Sequence, residues 1–129
     1  MADTLRGKGL MPSLTVNDLT ESLTFFEALG FEIEDRWEHE GVLVGAMLKG
    51  GHVRLGLTQD DGKKGKDRAK GVGLRLHIEA DNDIDQVAAR AKAMGIPLGK
   101  EPHNTNWGTR AFEVTDPTGF LLTISSPSR

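Results

Sequence analysis

Positions from Leu10 to Val16 alternate in facing: Leu14 and Val16 fall on one face of an extended chain, and Met11, Ser13 and Thr15 on the other. That period of two predicts a half-buried strand from Leu10 to Val16. A helix follows from about Leu19 to Leu29, and then three strands, Phe31 to Glu38, Val42 to Lys49 and His52 to Thr58, separated by Gly or Gly-Gly turns. Such spacing reads as an antiparallel meander. The order then repeats: strand Val72 to Ala80, helix Ile84 to Met94, strands Leu98 to Thr105 and Thr109 to Thr115, a turn at Asp116 to Gly119, and strand Phe120 to Ser125. The pattern is βαβββ, twice.

The helices carry the same punctuation 65 positions apart, from Asp18 to Asp83. Each opens on an acidic N-cap with Glu21 or Gln86 three residues later, a pairing that satisfies orphan amides of a first turn. Each closes on Gly30 or Gly95, where the absence of a Cβ permits the left-handed conformation that ends a helix. Between the caps, Leu19, Leu23, Phe26 and Leu29 correspond to Ile84, Ala88, Ala91 and Met94. We expect an α+β fold of two copies of one unit: residues 1–60, a charged linker over 61–70, and residues 71–129, together one structural domain.

Composition narrows the function classes. The chain has 129 residues, 37% of them apolar, enough to bury about two-thirds of its unfolded surface in one unit. It has no Cys, which excludes disulfides, thiolate ligands and a cysteine nucleophile and is compatible with the cytoplasm. No signal-like or membrane-spanning apolar run is present; the longest, Val42 to Leu48, is interrupted by Gly45. A formal charge of −3 gives no reason to expect nucleic acid or a membrane as partner. Lys63, Lys64, Lys66, Arg68 and Lys70 are diluted by Asp60, Asp61 and Asp67 without aromatic interleaving, so the linker reads as a solvated connector rather than a nucleic-acid patch.

The runs MPSLTVNDLTESLTFFEALGFE and NWGTRAFEVTDPTGFLLTI resemble the opening and closing signatures of the vicinal oxygen chelate superfamily, which includes glyoxalase I, extradiol dioxygenases and bleomycin-resistance proteins. The resemblance rests on Val16-Asn17-Asp18-Leu19 before the first helix, Phe25-Phe26 within it, Leu29-Gly30-Phe31 after it and Asp116-Pro117-Thr118-Gly119 before the last strand. It implies two βαβββ modules whose eight strands form a mixed, curled sheet arrangement around a concave site, in a homodimer.

Catalytic members of the family place His, Glu or Gln at four strand positions around a divalent ion. Carried over by this chain's own motifs, the first position falls on Met11, the second on Gly56 and the fourth on Thr123. The third falls on Arg75 if Leu74, Leu76, Ile78 and Ala80 face the helix, or on His77 if the register slips. A cation repels a metal, and a lone imidazole makes no site of useful affinity. The reading therefore expects neither metal nor cofactor. His39, His52 and His103 are scattered and show no spacing that would pair two imidazoles on a helix face.

The same alternation assigns to the concave side Arg54, Gly56 and Thr58, then Arg75, His77 and Glu79, then Leu121, Thr123 and Ser125. Arg makes bidentate bonds to carboxylate or phosphate, so a small ligand with an anionic or carbonyl end fits; the alternative is that Arg54, Arg75 and Glu79 pair with one another in a wet groove. Trp107, before Gly108 and Arg110, resembles a stretch of the bleomycin-resistance-like members where aromatic residues flank a drug groove, whereas Trp37 reads as packing or interface. No catalytic residue is assigned. Ser13, Ser22, Ser125, Ser126 and Ser128 lack a G-x-S-x-G elbow, and only His77 with Glu79 offers a candidate base.

These observations lead to a small-molecule binding protein of the glyoxalase/bleomycin-resistance type, sequestering its ligand without a metal through Arg54, Arg75, His77, Glu79, Trp107 and Thr123. The competing reading is a glyoxalase-like lyase, isomerase or dioxygenase with unusual metal ligands, or a metal-free catalyst built on His77. Bleomycin itself is a poor match, because the family's drug binders offer a cationic glycopeptide an acidic groove and Arg54 and Arg75 oppose that charge.

Overall fold

The computed structural model describes residues 4–65 and 68–127; Lys66, Asp67 and Ser128 lie outside the described residues. In chain order the elements are β1 (Ser13–Val16), α1 (Leu19–Ala28), β2 (Glu32–His39), β3 (Val42–Gly50), β4 (Val53–Gln59), β5 (Arg75–Glu79), α2 (Ile84–Ala93), β6 (Lys100–Asn104), β7 (Thr109–Thr115) and β8 (Leu121–Pro127). This is the expected α+β duplication. The strands form two four-stranded sheets, β1-β4-β3-β2 and β5-β8-β7-β6, here called sheets A and B. In each the first strand runs parallel to the last and the other pairs are antiparallel.

The eight strands do not join into one curled sheet within the chain: both sheets are open, with β1 and β5 left as edges. The reason is which faces meet. Phe25, Phe26 and Leu23 of α1 share one core with Ile84, Ala88 and Ala91 of α2 and with the strand residues Leu14, Val16, Leu57, Phe112, Leu122 and Ile124. The helix-bearing face of each sheet is thus consumed by this common core, and the opposite faces stay open.

The caps behave as their residues dictate. Asp18 accepts from the Glu21 amide and Asp83 from the Asp85 amide, while Gly30 and Gly95 end the helices at φ of 108° and 89°. A polar contact also fixes the modules to each other. Ser22 Oγ donates to Asp116 Oδ2 at 2.8 Å, with both side chains buried, and the Asn17 amide donates to Thr118 Oγ1 at 3.0 Å.

Three strand starts differ from the expectation by two residues or more, each for a local reason. Strand β1 begins at Ser13 rather than Leu10, just after Pro12, which has no N–H to donate. Strand β5 begins at Arg75 rather than Val72, because Gly71 and Gly73 take φ of 76° and 75° and turn the chain just before it. Strand β6 begins at Lys100 and its pairing with β7 is irregular before His103, where Pro102 interrupts the ladder.

The solvated-connector expectation fails at one end of the segment between β4 and β5. Lys63 and Lys64 are exposed, but the Lys70 side chain is only 4% exposed and its Nζ lies 2.8 Å from Asp60 Oδ2, also hydrogen bonding Asn17 Oδ1. Arg68 approaches the same carboxylate at 3.6 Å. Gln59 completes the anchor by accepting from the Leu19 amide and donating to the Asn17 carbonyl.

Candidate functional site

Ladder register settles which side chains share the open face of sheet A. One row crosses it from Asp35 through Met47 and Gly56 to Ser13, and the next from Trp37 through Gly45 and Thr58 to Thr15. Gly45 is required there. A Cβ on it would stand 2.2 Å from Trp37 Cε2 and 2.4 Å from Cζ2 and Nε1, so the indole occupies the space above the glycine. Trp37 remains 41% exposed, leaving part of the ring to solvent, and the next row carries the side-chain-free Gly56.

Arg54 lies on the same face, two rows from Gly45 and Thr58, and is already engaged. Its Nε and Nη2 donate to the two oxygens of Glu34 at 3.0 and 3.2 Å. That bidentate bond holds the Glu34 carboxyl below its usual pKa and raises that of Arg54. The pair is largely exposed, so its value is geometric: it fixes the guanidinium in one orientation more than it stabilises the fold.

On sheet B the corresponding rows run from Lys100 through Glu113 and Thr123 to His77, and from His103 through Ala111 and Ser125 to Glu79. Arg75 Nη1 donates to Thr123 Oγ1 at 3.0 Å and lies 3.4 Å from Glu113 Oε1. Arg75, His77, Glu79 and Thr123 are therefore together on one face, whereas Arg54 is on the other sheet and Trp107 on the β6–β7 loop, where it is 73% exposed. The two arginines do not pair with each other or with Glu79. Each takes a glutamate from the strand two places along its sheet, Glu34 on β2 and Glu113 on β7.

Arg110, next to Trp107 in the sequence motif, belongs to neither open face. It makes two hydrogen bonds to Asp85 at the start of α2, at 2.9 and 2.8 Å, which lower the Asp85 pKa and raise its own. His39 is exposed at the β2–β3 hairpin, His103 bonds the Glu101 carbonyl through Nδ1, and His52 occupies the β3–β4 turn.

The residues sequence reasoning missed are Glu34, Glu113, Met47 and the Trp37–Gly45 contact. Glu34 was hidden by a bulge in β2 between Ile33 and Asp35, which breaks the alternation on which facing is read. For Trp37 the signal was present: a glycine within the apolar run of β3 marks a place where another group approaches the backbone.

A family model for the Glyoxalase/Bleomycin resistance protein/Dioxygenase superfamily matches residues 10–124. The chain belongs to this superfamily. Solved structures agree on the fold of this superfamily member. TioX from Micromonospora sp. ML1 is 20% identical at a TM-score of 0.75, over 94% of this chain and 99% of TioX. A glyoxalase/bleomycin resistance protein/dioxygenase from Nocardioides is 20% identical at 0.69, over 98% of this chain and 87% of its own. A lactoylglutathione lyase from Agrobacterium tumefaciens is 19% identical at 0.66, over 94% and 95%. No curated protein sequence matches the chain.

Within the superfamily frame, Gly56 and Thr123 stand in matched rows, opposite Ser13 and His77. Met11 and Arg75 are each two residues upstream of those partners, so the two modules give the same register at Arg75. The residues at the four positions do not fit a divalent ion: a thioether, a glycine, a guanidinium and a hydroxyl supply no carboxylate or imidazole, and Arg75 itself bonds Thr123. Among the described residues no group of three His, Asp or Glu converges elsewhere.

Proposed function

We propose that this superfamily member captures a small organic molecule non-covalently on the open sheet faces, without a metal. The observation that carries this reading is the half-exposed indole of Trp37 above Gly45, which offers a ring surface on the same face as an oriented arginine–glutamate pair. Sheet B contributes a second polar surface through Arg75, Thr123, His77 and Glu79. Because each arginine already holds a glutamate, a ligand competes for a carboxylate partner rather than meeting a bare cation. A ring with a carbonyl or carboxylate edge suits this arrangement better than a cationic glycopeptide.

A homodimer belongs to the same reading. The free edges of β1 and β5 are preceded by the exposed apolar residues Leu10, Met11, Val72 and Leu74, and a second copy along these edges would bring an A face and a B face together. Among the described residues no helix is long and apolar enough to cross a membrane. A cytoplasmic location is in keeping with a chain that contains no cysteine.

The test combines elemental analysis of protein purified without chelator or affinity metal with a thermal-shift panel of aromatic acids and carbonyl compounds. Stabilisation by such ligands in metal-free protein is expected. Near-stoichiometric Zn, Ni, Mn or Fe whose removal costs turnover would overturn the proposal. The competing catalytic reading draws on His77 and Glu79 sharing one face, and it requires His77→Ala to abolish turnover while sparing ligand affinity.

A further inference from the structure

Two junctions join the modules, and duplication makes them counterparts. At the first, Ser22 on α1 bonds Asp116 in the β7–β8 turn. Ser22 is the fourth residue after the cap Asp18, as Val87 is after Asp83. Asp116 follows Thr115, which pairs with Leu121; Gly50 follows Lys49, which pairs with Arg54. Arg54 and Leu121 each lie two residues before the matched Gly56 and Thr123, so Gly50 is the counterpart of Asp116. The second junction therefore sets Val87 against Gly50, two residues with no polar side-chain atom between them.

The consequence is a groove of about 710 Å³ between the β3–β4 turn and α2, within the size range of small-molecule pockets. A side chain at residue 50 cannot readily close it, because the Phe31 ring already stands 3.0 Å from where a Cβ would be. Apolar residues Phe31, Ile78, Val87 and Ile124 line the groove together with charges of both signs, Arg90 and Asp81. Among the described residues the Arg90 side chain makes one hydrogen bond, to the Glu27 carbonyl at 3.3 Å, and Asp81 takes part in no ion pair. An anion alone would meet the Asp81 carboxylate, and a cation alone would meet the guanidinium.

We propose that this second junction is a ligand site, separate from the open sheet faces, for a small zwitterion with an apolar body, of the class of aromatic α-amino acids. The ligand carboxylate is taken by Arg90, the ammonium by Asp81 at the rim, and the ring by the apolar lining. Nothing in this proposal depends on what the sheet faces bind.

The test is a titration of the ¹⁵N-labelled full chain with L-phenylalanine, phenylacetate and phenethylamine, following amide shifts. Saturable shifts at Gly50, Gly51, His52 and Asn82 are expected with L-phenylalanine, at least about tenfold weaker with either single-headed probe. Arg90→Ala is expected to weaken L-phenylalanine binding by a similar factor, and Gln86→Trp, an exposed position on the groove wall, to abolish it while the thermal midpoint is kept. Absence of saturable shifts, equal affinity for the single-headed probes, or shifts confined to sheet-face amides such as Thr58 and Thr123 would overturn the proposal. So would line broadening of the junction amides with protein concentration alone, which would mean that a second copy fills the groove.

Discussion

Ser22 and Asp116, 94 residues apart in sequence, form a 2.8 Å hydrogen bond in which neither side chain reaches solvent. The other Asp116 oxygen accepts from the Thr118 amide at 2.7 Å, so the Asp-Pro-Thr-Gly turn is shaped by the same carboxylate that holds the first module. Ser22→Ala leaves a buried acceptor without its donor, and the expected loss is about 1–3 kcal/mol. Thr24→Ala, on the exposed side of the same helix, should change stability by less than about 0.5 kcal/mol. Urea unfolding of the two variants measures the difference, and equal effects would mean that the Ser22 hydroxyl does not couple the modules.

Gly45→Ala puts a methyl group where the Trp37 indole now sits, 2.2 Å from Cε2. The ring must leave the face, at a cost of about 1–3 kcal/mol typical of overpacking. In a Trp107→Phe background the emission of the remaining indole is expected to shift to the red and quencher access to rise, with loss of any thermal shift given by aromatic ligands. Unchanged emission would show that the strand, not the ring, had moved.

Most of the fold was legible because its signals are local. The caps at Asp18 and Asp83, the glycines at 30 and 95, and the alternation Leu14–Val16 against Ser13–Thr15 need no knowledge of distant contacts. The strand facing of Arg75, His77 and Glu79 was read by the same rule and agrees with the ladder. What stayed illegible is non-local. The glutamate partners of Arg54 and Arg75 come from strands paired only in three dimensions, and the bulge before Asp35 removes the parity that would have placed Glu34. The burial of Lys70 was equally hidden, since a lysine in a charged run is ordinarily solvated and only the approach of Asp60 and Asn17 makes this one an anchor.

That anchor gives a pH dependence with a definite sign. The Asp60 carboxyl is held below its ordinary pKa, first by the bond from Lys70 and then by the Gly62 amide. A depressed folded-state value means that the stabilisation is present above the unfolded value of about 3.9 and is lost as pH falls through the folded one. Asp60→Asn should therefore lower the thermal midpoint at pH 7 and reduce its decline on acidification below about pH 4. Asp61→Asn, one residue on and exposed, is the control. Parallel acid profiles for Asp60→Asn and the unaltered chain would contradict the assignment.

Arg75→Met separates folding from binding. The guanidinium is partly exposed, with side-chain exposures of 38% for Arg75 and 34% for Glu113, so water screens the pair and its contribution to stability is expected to stay under about 1 kcal/mol. The methionine keeps much of the aliphatic stem, which limits the packing lost with the charge. Ligand capture should respond far more, because the same substitution removes the donor that orients Thr123 and leaves Glu113 without its cation on the open face. A thermal shift by aromatic acids that disappears in Arg75→Met, while the ligand-free midpoint hardly moves, is the expected result. A full shift retained in the variant would place the ligand away from sheet B.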